Sequence, residues 1–131
     1  MQARPVYTDV VAEVAGFFET QLAELEKSGV RREQIILDPG IGFGKTIEHN
    51  MVLLAELMAF RRFDRPVLVG VSRKSFLTRA VGDKPAERLP AGLACACVAV
   101  EAGAQLIRTH DVAETVQAIR MTEAIVNKRI A

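Results

Sequence analysis

The stretch Gln34-Ile35-Ile36-Leu37-Asp38-Pro39-Gly40-Ile41-Gly42-Phe43-Gly44-Lys45-Thr46 decides the fold. It opens on an apolar run with β-branched residues, which suits a strand buried on both faces. Asp38-Pro39-Gly40 closes the run, so Asp38 stands at the strand's C-terminal end. The glycine-rich loop from Gly40 to Lys45 leads through Thr46 into a helical segment, where Met51, Leu54, Leu57 and Met58 recur at helical spacing.

The same alternation continues downstream. Pro66 precedes a second buried-strand candidate, Val67-Leu68-Val69-Gly70-Val71, with Ser72-Arg73-Lys74-Ser75 at its end. An apolar helix is expected from about Ala86 to Ala102, capped at Gly103, followed by a third strand from Gln105 to Thr109 that His110 and Asp111 close. Asp111 with Glu114 fits a capping box for a last helix, whose inner face would be Val112, Val116, Ile119 and Val126. Upstream, Val10, Val14, Phe17, Phe18, Leu22 and Leu25 give Thr8 to Ser28 a helical period, with Gly29 at the cap. Strands separated by such helices imply parallel neighbours joined by right-handed crossovers, in an open doubly wound sheet or in a barrel.

The chain has 131 residues, enough for one domain but short of the ~250 that a complete (β/α)8 barrel typically takes. Half of the residues are apolar and a quarter charged, a globular composition, and the net charge of +1 excludes a broad basic field for nucleic acid. No apolar stretch approaches the ~20 residues that cross a bilayer, and no cleavable leader is recognisable. A cytoplasmic protein is the expectation. Cys95 and Cys97 match no common metal-ligand spacing and are expected to be buried, inert thiols.

In parallel α/β folds the site lies beyond the C-terminal ends of the strands. Asp38, the Arg73-Lys74 pair and the Arg108-x-His110 pair would therefore meet at one mouth. Arg108 and His110, two apart on a strand, project to one side, and two cationic donors suit one diphosphate. Each cluster also has a plainer reading: Arg108 paired with a carboxylate and His110 capping a turn, a solvated basic turn at Lys74, and turn chemistry at Asp38. Adjacent cations at a buried strand's end favour function for Lys74, because unpaired burial is costly. The glycine loop departs from the P-loop pattern, since Pro39 stands where its first glycine is required, and it lacks the dinucleotide spacing. A nucleotide site is the weaker alternative, and His49, at a helix start, reads as structural.

Asp38-Pro39-Gly40-Ile41-Gly42-Phe43-Gly44-Lys45, Ser72-Arg73-Lys74-Ser75 and Arg108-Thr109-His110-Asp111, in this order, closely resemble the second half of dihydropteroate synthase. Glu87-Arg88-Leu89 and Tyr7-Thr8-Asp9-Val10 extend the resemblance over nearly the whole chain. It implies a partial (β/α)8 TIM barrel, one incomplete domain over 1–131 holding only C-terminal strands and helices. It implies the condensation of a pterin-methyl diphosphate with 4-aminobenzoate to dihydropteroate, with release of pyrophosphate. Asp38 would bind the pterin's amino-pyrimidine edge, Lys74 would reach the pterin and the aminobenzoate pocket, and Phe43, Gly70, Ser72 and Ser75 would line the substrates. Arg108 and His110 would hold the leaving diphosphate, so that Lys74, Arg108 and His110 carry the chemistry. The family's Mg2+ would find no protein ligand in this chain, since the Asn that binds it belongs to strands not represented here. A truncated enzyme, poorly active alone and self-associating as a homo-oligomer, is the expectation. A non-catalytic pterin-binding fragment and a pterin-dependent methyltransferase are the alternatives.

Overall fold

The computed structural model describes residues 5–82, 84 and 87–129. Helix α1 spans Val10–Lys27, and its start is well determined by its sequence: Asp9 Oδ1 accepts the N–H groups of Val11 and Ala12 at 3.0 and 2.9 Å. Glu13, in the first turn, accepts in return from the N–H groups of Thr8 and Asp9 at 2.8 and 3.2 Å. Val10, Val14, Ala15, Phe18 and Leu22 face the core, where Phe18 meets Phe60 and Phe63 edge-on at 5.4 and 5.8 Å. Phe17 and Leu25, expected on the same face, are 60% and 36% exposed, because the covered stripe is narrower than the apolar one.

The first expected strand is reduced to one parallel bridge, Leu37 to Val67, after a 3-10 turn over Arg32–Gln34. Ile35 and Leu37 are buried but Ile36 is 49% exposed, so only one face is covered; no second strand pairs with this edge among the described residues. Helix α2, Ile47–Ala55, runs into a 3-10 segment, Leu57–Phe63. Its core stripe is Asn50, Leu53, Leu54 and Leu57, leaving the expected Met51 and Met58 outside.

Strands β1, Leu68–Gly70, and β2, Leu106–Arg108, pair in parallel with Gly70 opposite Arg108. Between them lie a 3-10 turn at Ser75–Leu77, the short helix α3, Thr78–Val81, and helix α4, Leu89–Glu101. The expected start of α4 at Ala86 lies outside the described residues. Cys95 and Cys97 are free and only half-buried on α4, which corrects the expectation of full burial; burial still pushes the Cys95 thiol up from its ordinary pKa.

Helix α5, Val112–Arg129, packs on α4, and its Thr115 is buried. Its expected inner face is only partly covered: Val112 and Val116 are 60% and 41% exposed. They line, with Ile107, Ile119 and Val126, an open cleft of about 1190 Å³ beside β2. The observed architecture is thus a parallel α/β unit whose three strand segments carry their loops at one end. Among the described residues no helix is long and apolar enough to cross a membrane.

Candidate active site

Each strand segment hands one polar cluster to the same mouth. At the first, Asp38 Oδ1 accepts the N–H of Gly40 at 2.9 Å, the turn chemistry that its sequence allowed. The glycine loop beyond it is held from below by Asn50, 2% exposed, which accepts from Gly42 N–H and donates to the Thr46 carbonyl, both at 2.7 Å. Thr46 caps α2, with its Oγ1 accepting from His49 N–H and His49 Nδ1 accepting from Thr46 N–H. His49, which also meets Tyr7 edge-on at 5.0 Å, is therefore engaged in the fold.

Lys74, at the end of β1, lies along this loop. Its Nζ donates to the Ile41 carbonyl and sits 4.4 Å from the centre of the Phe43 ring, a cation–π contact. A Cβ on Gly42, whose φ is +82°, would stand 2.5 Å from Lys74 Cδ, so glycine is required there for both backbone and space. Lys45 Nζ donates to the carbonyls of Gly40 and Phe43 at 3.2 and 3.3 Å. Burial lowers the pKa of Lys74; the Asp38 charge opposes this, and Arg108 and Lys45 add to it. Lys45 is likewise lowered by burial and supported by Asp38. One carboxylate thus serves two half-buried ammonium groups, with Arg108 close enough to act on one of them.

The adjacent cations at the end of β1 part company. Arg73, in the left-handed region at φ 59°, turns to Asp111 and makes a two-pronged ion pair, Nη2 to Oδ1 at 2.6 Å and Nε to Oδ2 at 3.3 Å. That pair holds the Asp111 carboxyl below its ordinary range and raises Arg73. The expected capping box at Asp111 does not form in this arrangement: its carboxylate is spent on Arg73, and its N–H donates to Thr109 Oγ1 at 3.2 Å. Arg88 supports the turn by donating to the Arg73 carbonyl at 3.1 Å.

On β2, the Arg108 side chain crosses Gly70, where an added Cβ would stand 3.1 Å from Nε. Arg108 is exposed and makes no ion pair among the described residues, so the plainer carboxylate-paired reading has no support. His110 does not cap a turn; its N–H donates to Ser72 Oγ at 3.2 Å and its Nδ1 lies 3.0 Å from the same oxygen. Phe43 is 55% exposed and Ser75, also exposed, opens the turn after Lys74. Lys74, Arg108 and His110 thus follow or end neighbouring strand segments, a set of cationic and imidazole donors chemically suited to a ligand that carries a polyanion. Reading the sequence missed Lys45, Asn50 and the Ser72–His110 contact. Asn50 was detectable as a polar residue on the apolar stripe 50, 53, 54, 57.

A family model described as pterin binding enzyme matches residues 1–110. This chain belongs to the pterin binding enzyme family. Within the family it is similar to the dihydropteroate synthase of Escherichia coli strain K12, 48% identical over 129 residues that are 98% of this chain and 46% of that protein. The crystal structure of the Yersinia pestis dihydropteroate synthase superposes with a TM-score of 0.92 at 40% identity, covering 100% of this chain and 53% of that one. The enzyme of Xanthomonas albilineans, in complex with 7,8-dihydropteroate, superposes at 0.90 with 38% identity, over 92% of this chain and 47% of that one. The chain spans about half the length of the relatives it matches.

Magnesium, which the dihydropteroate synthase resemblance implies for the complete enzyme, is not matched by the residues at this mouth. Asp38 is the one carboxylate beside Lys45 and Lys74, and the described residues hold no group of three or more His, Cys, Asp or Glu able to take a metal ion. A hard cation needs several oxygen donors, which a rim of ammonium and guanidinium groups does not offer.

Proposed function

We propose that this chain carries the diphosphate-holding half of a dihydropteroate synthase site, built on a portion of a (β/α)8 barrel. The reaction would join 6-hydroxymethyl-7,8-dihydropterin diphosphate to 4-aminobenzoate, giving dihydropteroate and pyrophosphate. The observation that carries the reading is Arg108 lying over Gly70 with no ion pair of its own among the described residues, beside His110 and Lys74. It is strengthened by the 7,8-dihydropteroate held by the similar Xanthomonas albilineans enzyme.

In this reading Asp38 accepts from the amino-pyrimidine edge of the pterin, and Lys74, steadied on Phe43, borders both substrates. Ser75 and Phe43 shape the aminobenzoate side. The bond between the pterin methylene and the diphosphate oxygen breaks, the arylamine nitrogen forms the new C–N bond, and it loses a proton. Arg108 and His110 stabilise the departing anion, a preorganised electrostatic contribution of the kind that dominates many enzymes. No side chain serves as a covalent nucleophile.

The complete enzyme would be cytoplasmic and homo-oligomeric. This chain alone would bind the pterin diphosphate weakly and turn over poorly, since it spans about half of its relatives. Calorimetry with the pterin-methyl diphosphate and with the corresponding hydroxymethyl pterin tests the reading. Tighter binding of the diphosphate supports it; equal binding of the two contradicts it and favours a pterin site without a diphosphate role, as in a methyltransferase.

A further inference from the structure

We propose that Asp111 is a positioning residue for Lys74: its ion pair with Arg73 holds residue 73 in the left-handed conformation that sends the neighbouring lysine into the glycine loop. The part that Lys74 plays beside a pterin rests on the dihydropteroate synthase reading above, whereas its placement does not.

Val71 to Lys74 form a tight turn at the end of β1, closed by the Lys74 N–H donating to the Val71 carbonyl at 3.3 Å. Arg73 is the third residue of that turn and has φ 59°. A positive φ at this position ordinarily takes glycine or asparagine, because the Cβ of other residues crowds the backbone there. Arginine occupies it here, and its side chain has an anchor: Nη2 and Nε meet the two carboxylate oxygens of Asp111 at 2.6 and 3.3 Å. The anchor is itself fixed. Asp111 N–H donates to Thr109 Oγ1 at 3.2 Å, that oxygen lies 2.9 Å from Thr115 Oγ1, and Thr115, 4% exposed, donates to the Asp111 carbonyl at 2.7 Å.

The course of Lys74 follows from the turn. With residue 73 left-handed, Arg73 reaches the loop after β2 while Lys74 reaches the loop after the first strand segment, over Gly42, to the Ile41 carbonyl and the face of Phe43. Turning residue 73 to an ordinary negative φ would swing Lys74 relative to β1 and withdraw it from that loop. Arg88 also grips the turn, by donating to the Arg73 carbonyl at 3.1 Å, but neither that contact nor the closing bond uses the Arg73 side chain. Replacements of that side chain therefore differ in two respects: how readily they accept a positive φ, and whether they keep the ion pair.

The Phe43 ring supplies the readout, since protons over an aromatic face are shifted upfield and Lys74 Nζ lies 4.4 Å from the ring centre. Proton NMR of the Lys74 ε-methylene, assigned by its loss in Lys74→Arg and referenced to Phe43→Leu, tests the proposal. The expected result is an upfield shift in the wild-type chain that is lost in Arg73→Ala and in Asp111→Ala. It is retained in Arg73→Gly and restored when Arg73→Gly is added to Asp111→Ala, since glycine takes the left-handed conformation without a partner. An ion pair that merely stabilised the fold would make glycine at least as harmful as alanine. A wild-type chain without the shift, a shift kept in either alanine variant, or one absent from Arg73→Gly or from the double variant would overturn the proposal. Should Asp111→Ala fail to fold, Arg73→Ala against Arg73→Gly decides it. The readout needs no ligand, so its failure is separate from failure of the diphosphate reading.

Discussion

The guanidinium of Arg108 lies across the α-carbon of Gly70, its strand partner, so closely that a Cβ there would stand 3.1 Å from Nε and 3.2 Å from Nη2. The backbone of Gly70 is one that other residues adopt, so space is what the glycine supplies. It lets a long cationic side chain lie flat over the sheet end and present its fork at the mouth.

Gly70→Ala therefore displaces Arg108 rather than the strand. The obstructed atoms are the far end of a flexible side chain, so the stability cost stays near or below the ~1–3 kcal/mol of ordinary overpacking. Affinity for the pterin diphosphate is expected to fall by about tenfold or more, the loss of a charge-assisted contact. Urea unfolding alongside calorimetry separates the two effects; an unfolded variant, or unchanged affinity, would refute the assignment.

Asn50 is the hidden support of the glycine loop. Asn50→Leu fills the space but leaves the Gly42 N–H without its 2.7 Å acceptor, while the Thr46 carbonyl keeps the backbone N–H of residue 50 at 3.2 Å. The stranded, part-buried Gly42 donor costs about 1–3 kcal/mol. Denaturant midpoints should drop accordingly, and hydrogen exchange should quicken at Gly42 itself. A midpoint within error of the wild type would show that the loop is held elsewhere.

Lys74 reports on the charges around it. Removing the Asp38 charge with Asp38→Asn takes away the one influence that raises its pKa, so the value should fall further. Arg108→Ala removes a lowering influence, and the value should rise. Because the folded value lies below the ordinary 10.5, the unfolded chain binds more protons in the window between them, and stability contributed through Lys74 increases as pH rises through it. NMR titration of labelled lysine side chains checks both signs; shifts in one common direction would contradict the picture.

The strand ends were legible because their evidence is local. Strand signals at 34–37, 67–71 and 105–109, each with polar residues at its end, lead one to expect Asp38, Lys74, Arg108 and His110 at one mouth. Exposure was less legible, because it depends on what covers a face. Ile36, Val112 and Val116 have the composition of core residues yet stand open where no further strand pairs among the described residues. Side-chain competition was also hidden: Asp111 could cap α5 by its spacing, but the bidentate partner Arg73, 38 residues away, claims its carboxylate. Asn50 was visible only as an interruption of an apolar stripe whose position relative to the loop requires the folded chain.

The central claim is that Arg108 holds a leaving diphosphate, and calorimetric titration of the pterin-methyl diphosphate into the wild-type chain and Arg108→Ala tests it most directly. The account predicts measurable binding by the wild type, weakened about tenfold to a hundredfold in the variant, as expected for loss of a charged hydrogen-bond donor. Equal affinity for the two chains would contradict it.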